Sequence, residues 1–198
     1  MFDYGKVISF PPEPEIMVQL ASLAGVGVGI FEPLLWELRG EYDRGTVNAR
    51  EYYGQILSRL NVRLDGKTID AMIALDLKSW ENINPGTVKL MEEVKAAGFI
   101  LGILSNMPHD FLALARKKFP LFSLPDVSLF SCEARLIKPE PAIYQKLLSL
   151  LKCDPEELVF FDDTLNNVKS AADLGIFSFL WQDPETARRD LSSLGVRL

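Results

Sequence analysis

Residues 85–106 read PGTVKLMEEVKAAGFILGILSN. Pro85 and Gly86 open a helix whose apolar residues Val88, Leu90, Met91 and Val94 recur on one side. Gly98 ends it, because a glycine just past the last turn accepts the left-handed backbone that closes a helix. The run FILGILS (99–105) is short, apolar and bounded by Asn106, the pattern of a buried strand. Working outward, the alternation repeats. DFLALARKKF (110–119) is amphipathic, and VSLFSC (127–132) is a second short apolar run. PAIYQKLLSLLK (141–152) has Ile143, Leu147, Leu150 and Leu151 at helical spacing, and ELVFF (157–161) follows as another strand. NNVKSAADLG (166–175) is a helix with Gly175 past its end, and IFSFLW (176–181) is the final strand. Strands alternating with helices imply an α/β fold, a parallel sheet covered by helices on both faces.

Residues 10–82 follow a different rule. PPEPE (11–15) reads as a rigid extended linker. After it come only helix-period segments: IMVQLASLA, FEPLLWELRGEY, AREYYGQILSRL and KTIDAMIALDLKSW. The block 10–82 is therefore expected to be a small helical lobe inserted early into a sheet domain made of 1–9 and 83–198. Gly25, Gly27 and Gly29 begin a dinucleotide-loop spacing, but position 30 is Ile and no strand precedes it, so they read as a helix-to-helix turn.

Composition excludes several function classes. The 198 residues carry 21 Lys and Arg against 27 Asp and Glu, a net charge of −6, so no global field attracts nucleic acid. The two cysteines, Cys132 and Cys153, are too few for a disulfide framework, and the single histidine excludes a multi-histidine zinc site. No apolar run approaches the ~20 residues needed to span a bilayer. MFDYGK carries no basic region followed by an apolar stretch, so a signal peptide is not expected and the default is a soluble cytoplasmic protein. An anionic small substrate fits this chain only if a local cation or metal meets it.

In open parallel sheets, ligands bind beyond the carboxyl ends of the strands. The polar residues there are Asp3 after Phe2, Ser105 and Asn106 after FILGIL, and Asp162 and Asp163 after ELVFF, with Lys138 just before Pro139. A carboxylate can attack phosphorus to give an aspartyl-phosphate. Clustered carboxylates repel a phosphate dianion unless a cation intervenes, and Mg²⁺ takes carboxylate, carbonyl, water and phosphate oxygens. A lysine offsets phosphoryl charge while a hydroxyl and backbone N–H groups orient it.

The segments FDYGKVIS, ILSN, KPEPAIY and FFDDTLNN resemble, in order, the four motifs of the haloacid dehalogenase-like (HAD) hydrolase superfamily. That resemblance implies a Rossmann-like three-layer core with residues 10–82 as its inserted helical cap, and a Mg²⁺-dependent phosphatase acting on a small phosphorylated metabolite. It implies Asp3 as nucleophile and metal ligand, and Gly5 as a carbonyl ligand to Mg²⁺. Ser105 and Asn106 would hold the phosphate and Lys138 neutralise it. Asp163 would be the direct metal ligand, with Asp162 or Asn167 acting directly or through water. The tract FDYG…KPEPAIY…FFDDTLNN is most similar to the bacterial branch that includes sugar-1-phosphate phosphatases.

Two features depart from the commoner phosphatase pattern. The acid usually found two residues after the nucleophile is here Gly5, so leaving groups that need little protonation are expected to be favoured, sugar 1-phosphates above 6-phosphates. Only Met1 and Phe2 precede Asp3, so the central strand is expected to be clipped or its start to lie upstream. Alternatives are a catalytically inactive member that binds a phosphometabolite or a protein, and a metal-free 2-haloacid dehalogenase; the acids Asp162 and Asp163 argue against the latter. Weaker candidates have plainer readings beside them. Arg44, with Asp43, just before Gly45, reaches the substrate from the cap or ends a solvated helix. His109 is a surrogate acid or a first-turn residue of a helix starting near Pro108. Trp36, Tyr42, Tyr53 and Trp80 stack on a sugar or fill the cap core. Lys6 charges the nucleophile loop or faces solvent.

Overall fold

In the computed structural model, which describes residues 1–198, the sheet is parallel throughout. Strand β1 (Gly102–Ser105) pairs with β2 (Val127–Phe130), and β3 (Val159–Asp162) pairs with β4 (Phe177–Leu180). Phe2 joins the two pairs by parallel bridges to Ile103 and Phe161, giving the order β2-β1-Phe2-β3-β4. The central position is short but fully bonded. Phe2 N–H donates to Gly102 O at 3.0 Å and Asp3 N–H to Phe161 O at 2.9 Å, while Met1 O and Phe2 O accept from Phe161 and Leu104. Asp3 thus leaves the sheet between the carboxyl ends of β1 and β3.

Successive strand residues point to opposite faces, and the core divides accordingly. Phe2, Ile103, Phe130 and Phe161 pack with Leu90, Met91 and Val94 of α5 (Pro85–Ala96), Phe111, Leu112 and Ala115 of α6 (His109–Lys118), and Ala187 and Leu191 of α10 (Pro184–Ser193). Met1, Leu104, Leu129 and Phe160 pack with Ile143, Tyr144 and Leu147 of α8 (Pro141–Leu151) and Ala171 of α9 (Leu165–Ala172). This is the three-layer, Rossmann-like α/β architecture. Each buried large side chain contributes roughly 1.5–3 kcal/mol.

Several boundaries differ from the sequence reading, among them β3, which starts at Val159, and β4, which spans Phe177–Leu180. β1 starts at Gly102, because Phe99 N–H bonds back to Val94 O and Gly98 N–H to Lys95 O, closing α5 with a left-handed Gly98 at φ +87°. β2 stops at Phe130, where the short helix α7 (Ser131–Ala134) begins. The linker 11–15 is shorter than expected, since Pro14 is the first residue of α1 (Pro14–Leu23), a position that needs no N–H.

Helices α1, α2 (Val28–Asp43), α3 (Ala49–Arg59) and α4 (Gly66–Ser79) build a separate core from Leu20, Phe31, Leu35, Tyr52, Ile56 and Met72, among others. Gly25, at φ +70°, makes the turn between α1 and α2. The chain enters and leaves this unit side by side: Ser9 and Ile83 form an antiparallel bridge, and Phe10 N–H donates to Asn82 O. No single helix is long and apolar enough to cross a membrane.

Candidate active site

Asp3, Asp163, Lys138, Asn106 and Asn167 line one cleft of about 170 Å³ at the carboxyl ends of the strands, together with Gly5. Its floor is a buried ion cluster. Lys138 Nζ lies 2.9 Å from Asp3 Oδ1 and 2.6 Å from Asp162 Oδ2, and donates to Leu104 O at 3.1 Å. Burial alone would lower the Lys138 pKa, but Asp3 and Asp162 hold the ammonium above its ordinary value. Burial raises the Asp3 carboxyl to about 7, and Asp162 adds to this, against the attraction of Lys138 and a hydrogen bond from Ser105.

The other motif residues are placed by local hydrogen bonds. Asn106 clamps the Lys138 main chain from both sides: its Nδ2 donates to Lys138 O at 2.9 Å and its Oδ1 accepts from Lys138 N–H at 2.8 Å. The Asn106 side chain therefore positions the lysine. Ser105, expected to hold the phosphate, is fully buried and does not line the cleft; its hydroxyl donates to Asn106 O at 3.5 Å. Asp162 is also fully buried, accepting from Thr164 N–H and from Asn167 Nδ2 at 3.0 and 3.1 Å as well as from Lys138. Asp163 faces the cleft, 3.3 Å from Lys6 Nζ. Lys6 is thus half-exposed but turned to the site, on a residue held at φ +59° in the wide turn Tyr4–Ile8.

Carboxylate oxygens of Asp3, Asp162 and Asp163 lie within 4.8 Å of one another. Hard oxygen donors this close suit a dication such as Mg²⁺. Two ammonium groups face these three carboxylates, so the local charge also favours one.

The roof comes from the helical unit, through Arg39 and Asp43 of α2, with Trp36 and Trp80 at the side. Arg39 Nε lies 2.9 Å from Asp43 Oδ1, and its Nη1 contacts both oxygens of the buried Asp76 at 3.2 and 3.0 Å. Its guanidinium sits over the rings of Tyr42 and Tyr52. Burial raises the Asp43 pKa, opposed by Arg39.

The expectation for Arg44 needs correction here, and the weaker candidates resolve. Arg44 does not reach the cleft. It makes a two-pronged bond to Glu140 at 2.6 and 3.0 Å, because α2 turns Arg39 and Asp43, not Arg44, toward Asp3. His109 is the exposed first residue of α6 and packs at Gly45, outside the cleft. The aromatics divide: Tyr42 and Tyr53 are core, while Trp36 and Trp80 line the cleft. Sequence reasoning missed Arg39. The available signal was its i,i+4 spacing to Asp43, which by itself describes a solvated helix pair equally well.

The family model for haloacid dehalogenase-like hydrolases matches residues 31–175. Among curated proteins, the chain is 36% identical over 115 residues to mouse acyl-CoA dehydrogenase family member 10, covering 56% of this chain and 10% of that one. It is 31% identical over 144 residues to a phosphatase of Mycobacterium tuberculosis, covering 69% and 65% of the two chains. The chain spans only 10–22% of the length of the mammalian relatives it matches. A HAD family enzyme of Bacteroides thetaiotaomicron, solved with magnesium and inorganic phosphate, superposes with a TM-score of 0.73 at 21% identity over 92% of both chains. At that identity the likeness shows the fold.

Proposed function

The chain belongs to the haloacid dehalogenase-like hydrolases, and on that premise we propose that it is a Mg²⁺-dependent phosphatase of a small phosphorylated metabolite, a sugar phosphate with the 1-phosphate preferred. The observation that carries this reading is the buried Asp3–Lys138–Asp162 cluster with Asp163 beside it, at the carboxyl end of the sheet. The phosphatase relative from M. tuberculosis supports the reaction class.

In this reading residues 10–82 act as a cap over the site. Asp3, Asp163 and the Gly5 carbonyl would hold Mg²⁺, with Asp162 or Asn167 behind them. Bound there, the ion would offset carboxylate and phosphoryl charge. The Asp3 carboxylate forms a bond to phosphorus as the bond from phosphorus to the leaving oxygen breaks. Lys138 stands against the charge gathering on the phosphoryl oxygens, held in place by Asn106 and Asp162. The backbone that follows Ser105 would orient the group. Water then attacks phosphorus, releasing phosphate and restoring Asp3. Position 5 offers no acid, so departure favours an anomeric oxygen, which carries negative charge more readily than an ordinary alkoxide.

The test is phosphate release from a panel of phosphorylated metabolites, with and without Mg²⁺. Mg²⁺-dependent release with a 1-phosphate preference is expected. Chloride release from 2-haloacids in EDTA, without phosphate release, overturns the reading.

A further inference from the structure

We propose that Asp43 is the general base that activates the water hydrolysing the aspartyl-phosphate. The inference rests on the phosphatase reading above. Hydrolysis of that intermediate requires a proton acceptor beside the attacking water. The cleft offers few. Asp3 carries the phosphoryl group at that moment, Asp163 faces Lys6 and the implied cation, and Tyr4 donates its hydroxyl to Trp80 O. Lys138 and Arg39 are cations, and His109 lies outside. Asp43 is the one remaining carboxylate that lines the cleft.

Its placement is built. Residues 42–45 each bond to the sheet domain: Tyr42 Oη to Asp110 at 3.1 Å, Asp43 O from Ser131 Oγ at 2.5 Å, Arg44 to Glu140, and Gly45 O from Arg135. Ser131 Oγ also accepts from Met107 N–H at 2.8 Å, so one hydroxyl ties Asp43 to the loop that carries Asn106 after Ser105. The charged groups facing the Asp43 carboxylate are Arg39, Asp76 and Lys138. Arg39 bonds Oδ1 of this carboxylate, which is 13% exposed, while no protein donor bonds Oδ2.

In the step itself the water oxygen bonds to phosphorus as the phosphorus–Asp3 oxygen bond breaks. The water proton passes to Asp43 and then to solvent, and Asp3 leaves as a carboxylate. Only this second step needs Asp43, which separates the role from a structural one.

The experiment uses Asp43→Asn with 4-nitrophenyl phosphate and Mg²⁺. Nitrophenolate should appear in a burst of one equivalent per site, followed by steady turnover roughly 10²–10⁴-fold slower than in the unaltered protein. Because kcat/KM reports only steps through formation of the intermediate, it should change less than about tenfold. Should the amide disturb Arg39, Asp43→Ala with added formate is the second variant, and formate should restore kcat without raising kcat/KM. Equal losses in kcat and kcat/KM without a burst, or no loss at all, overturn the assignment. No phosphate release by the unaltered protein from any monoester overturns the phosphatase reading, and the assignment with it.

Discussion

The indole of Trp80 closes over Gly5, its Cζ3 lying 3.2 Å from the point where a Cβ on residue 5 would stand. Position 5 therefore lacks side-chain room as well as an acid. Gly5→Asp requires Trp80 to give by a few tenths of an ångström, and overpacking of this kind costs about 1–3 kcal/mol. The single variant should melt lower than the unaltered protein. It should narrow the gap between matched sugar 1- and 6-phosphates only when Trp80→Leu makes space. Measuring kcat/KM on both substrates in the single and double variants checks this.

Asp3→Asn should abolish turnover while leaving the circular dichroism spectrum unchanged. The amide is nearly isosteric but a poor nucleophile. Turnover retained in the folded variant removes Asp3 from the nucleophile's place.

Asp163→Ala should sharply weaken Mg²⁺ binding measured by calorimetry, whereas Cys132→Ser and Cys153→Ser should leave activity within a few fold. Burial pushes the Cys132 thiol up to about 11, so it stays protonated at pH 8 and its thiolate appears only as pH rises toward that value. Alkylation of Cys132 by iodoacetamide should therefore be slow at pH 8 and accelerate with rising pH. Fast alkylation at pH 7 contradicts this.

Arg44 and Arg39 should behave oppositely. The Arg44–Glu140 pair is partly exposed, so Arg44→Ala should cost about 0–1 kcal/mol and leave KM nearly unchanged. Arg39→Ala strands the carboxylates of Asp43 and Asp76 in a largely buried place and should cost roughly 3–5 kcal/mol. Chemical denaturation of the two variants compares them directly.

The sheet was legible because strands buried on both faces must be apolar along their length, and Gly98 and Gly175 mark where the helices stop. The floor was legible for a related reason: strand ends in a parallel sheet converge, so Asp3, Asp162, Asp163 and Lys138 could be grouped before any coordinates. The roof was not. Arg39 and Asp43 lie in α2 and Arg44 caps its end, and which of them faces the cleft depends on how α2 is rotated against α7, set by contacts such as Ser131 to Asp43 O that are distant in sequence. Asn106 illustrates the same limit, since its clamp on Lys138 joins residues separated by 32 positions.

The most direct test of the central claim is to map the phosphoryl group in protein acid-quenched during turnover of 4-nitrophenyl phosphate with Mg²⁺. The account predicts an acid-stable, base-labile phosphoryl group on Asp3, absent from Asp3→Asn. Turnover with no phosphoryl group on Asp3, or with one on another residue, would contradict it.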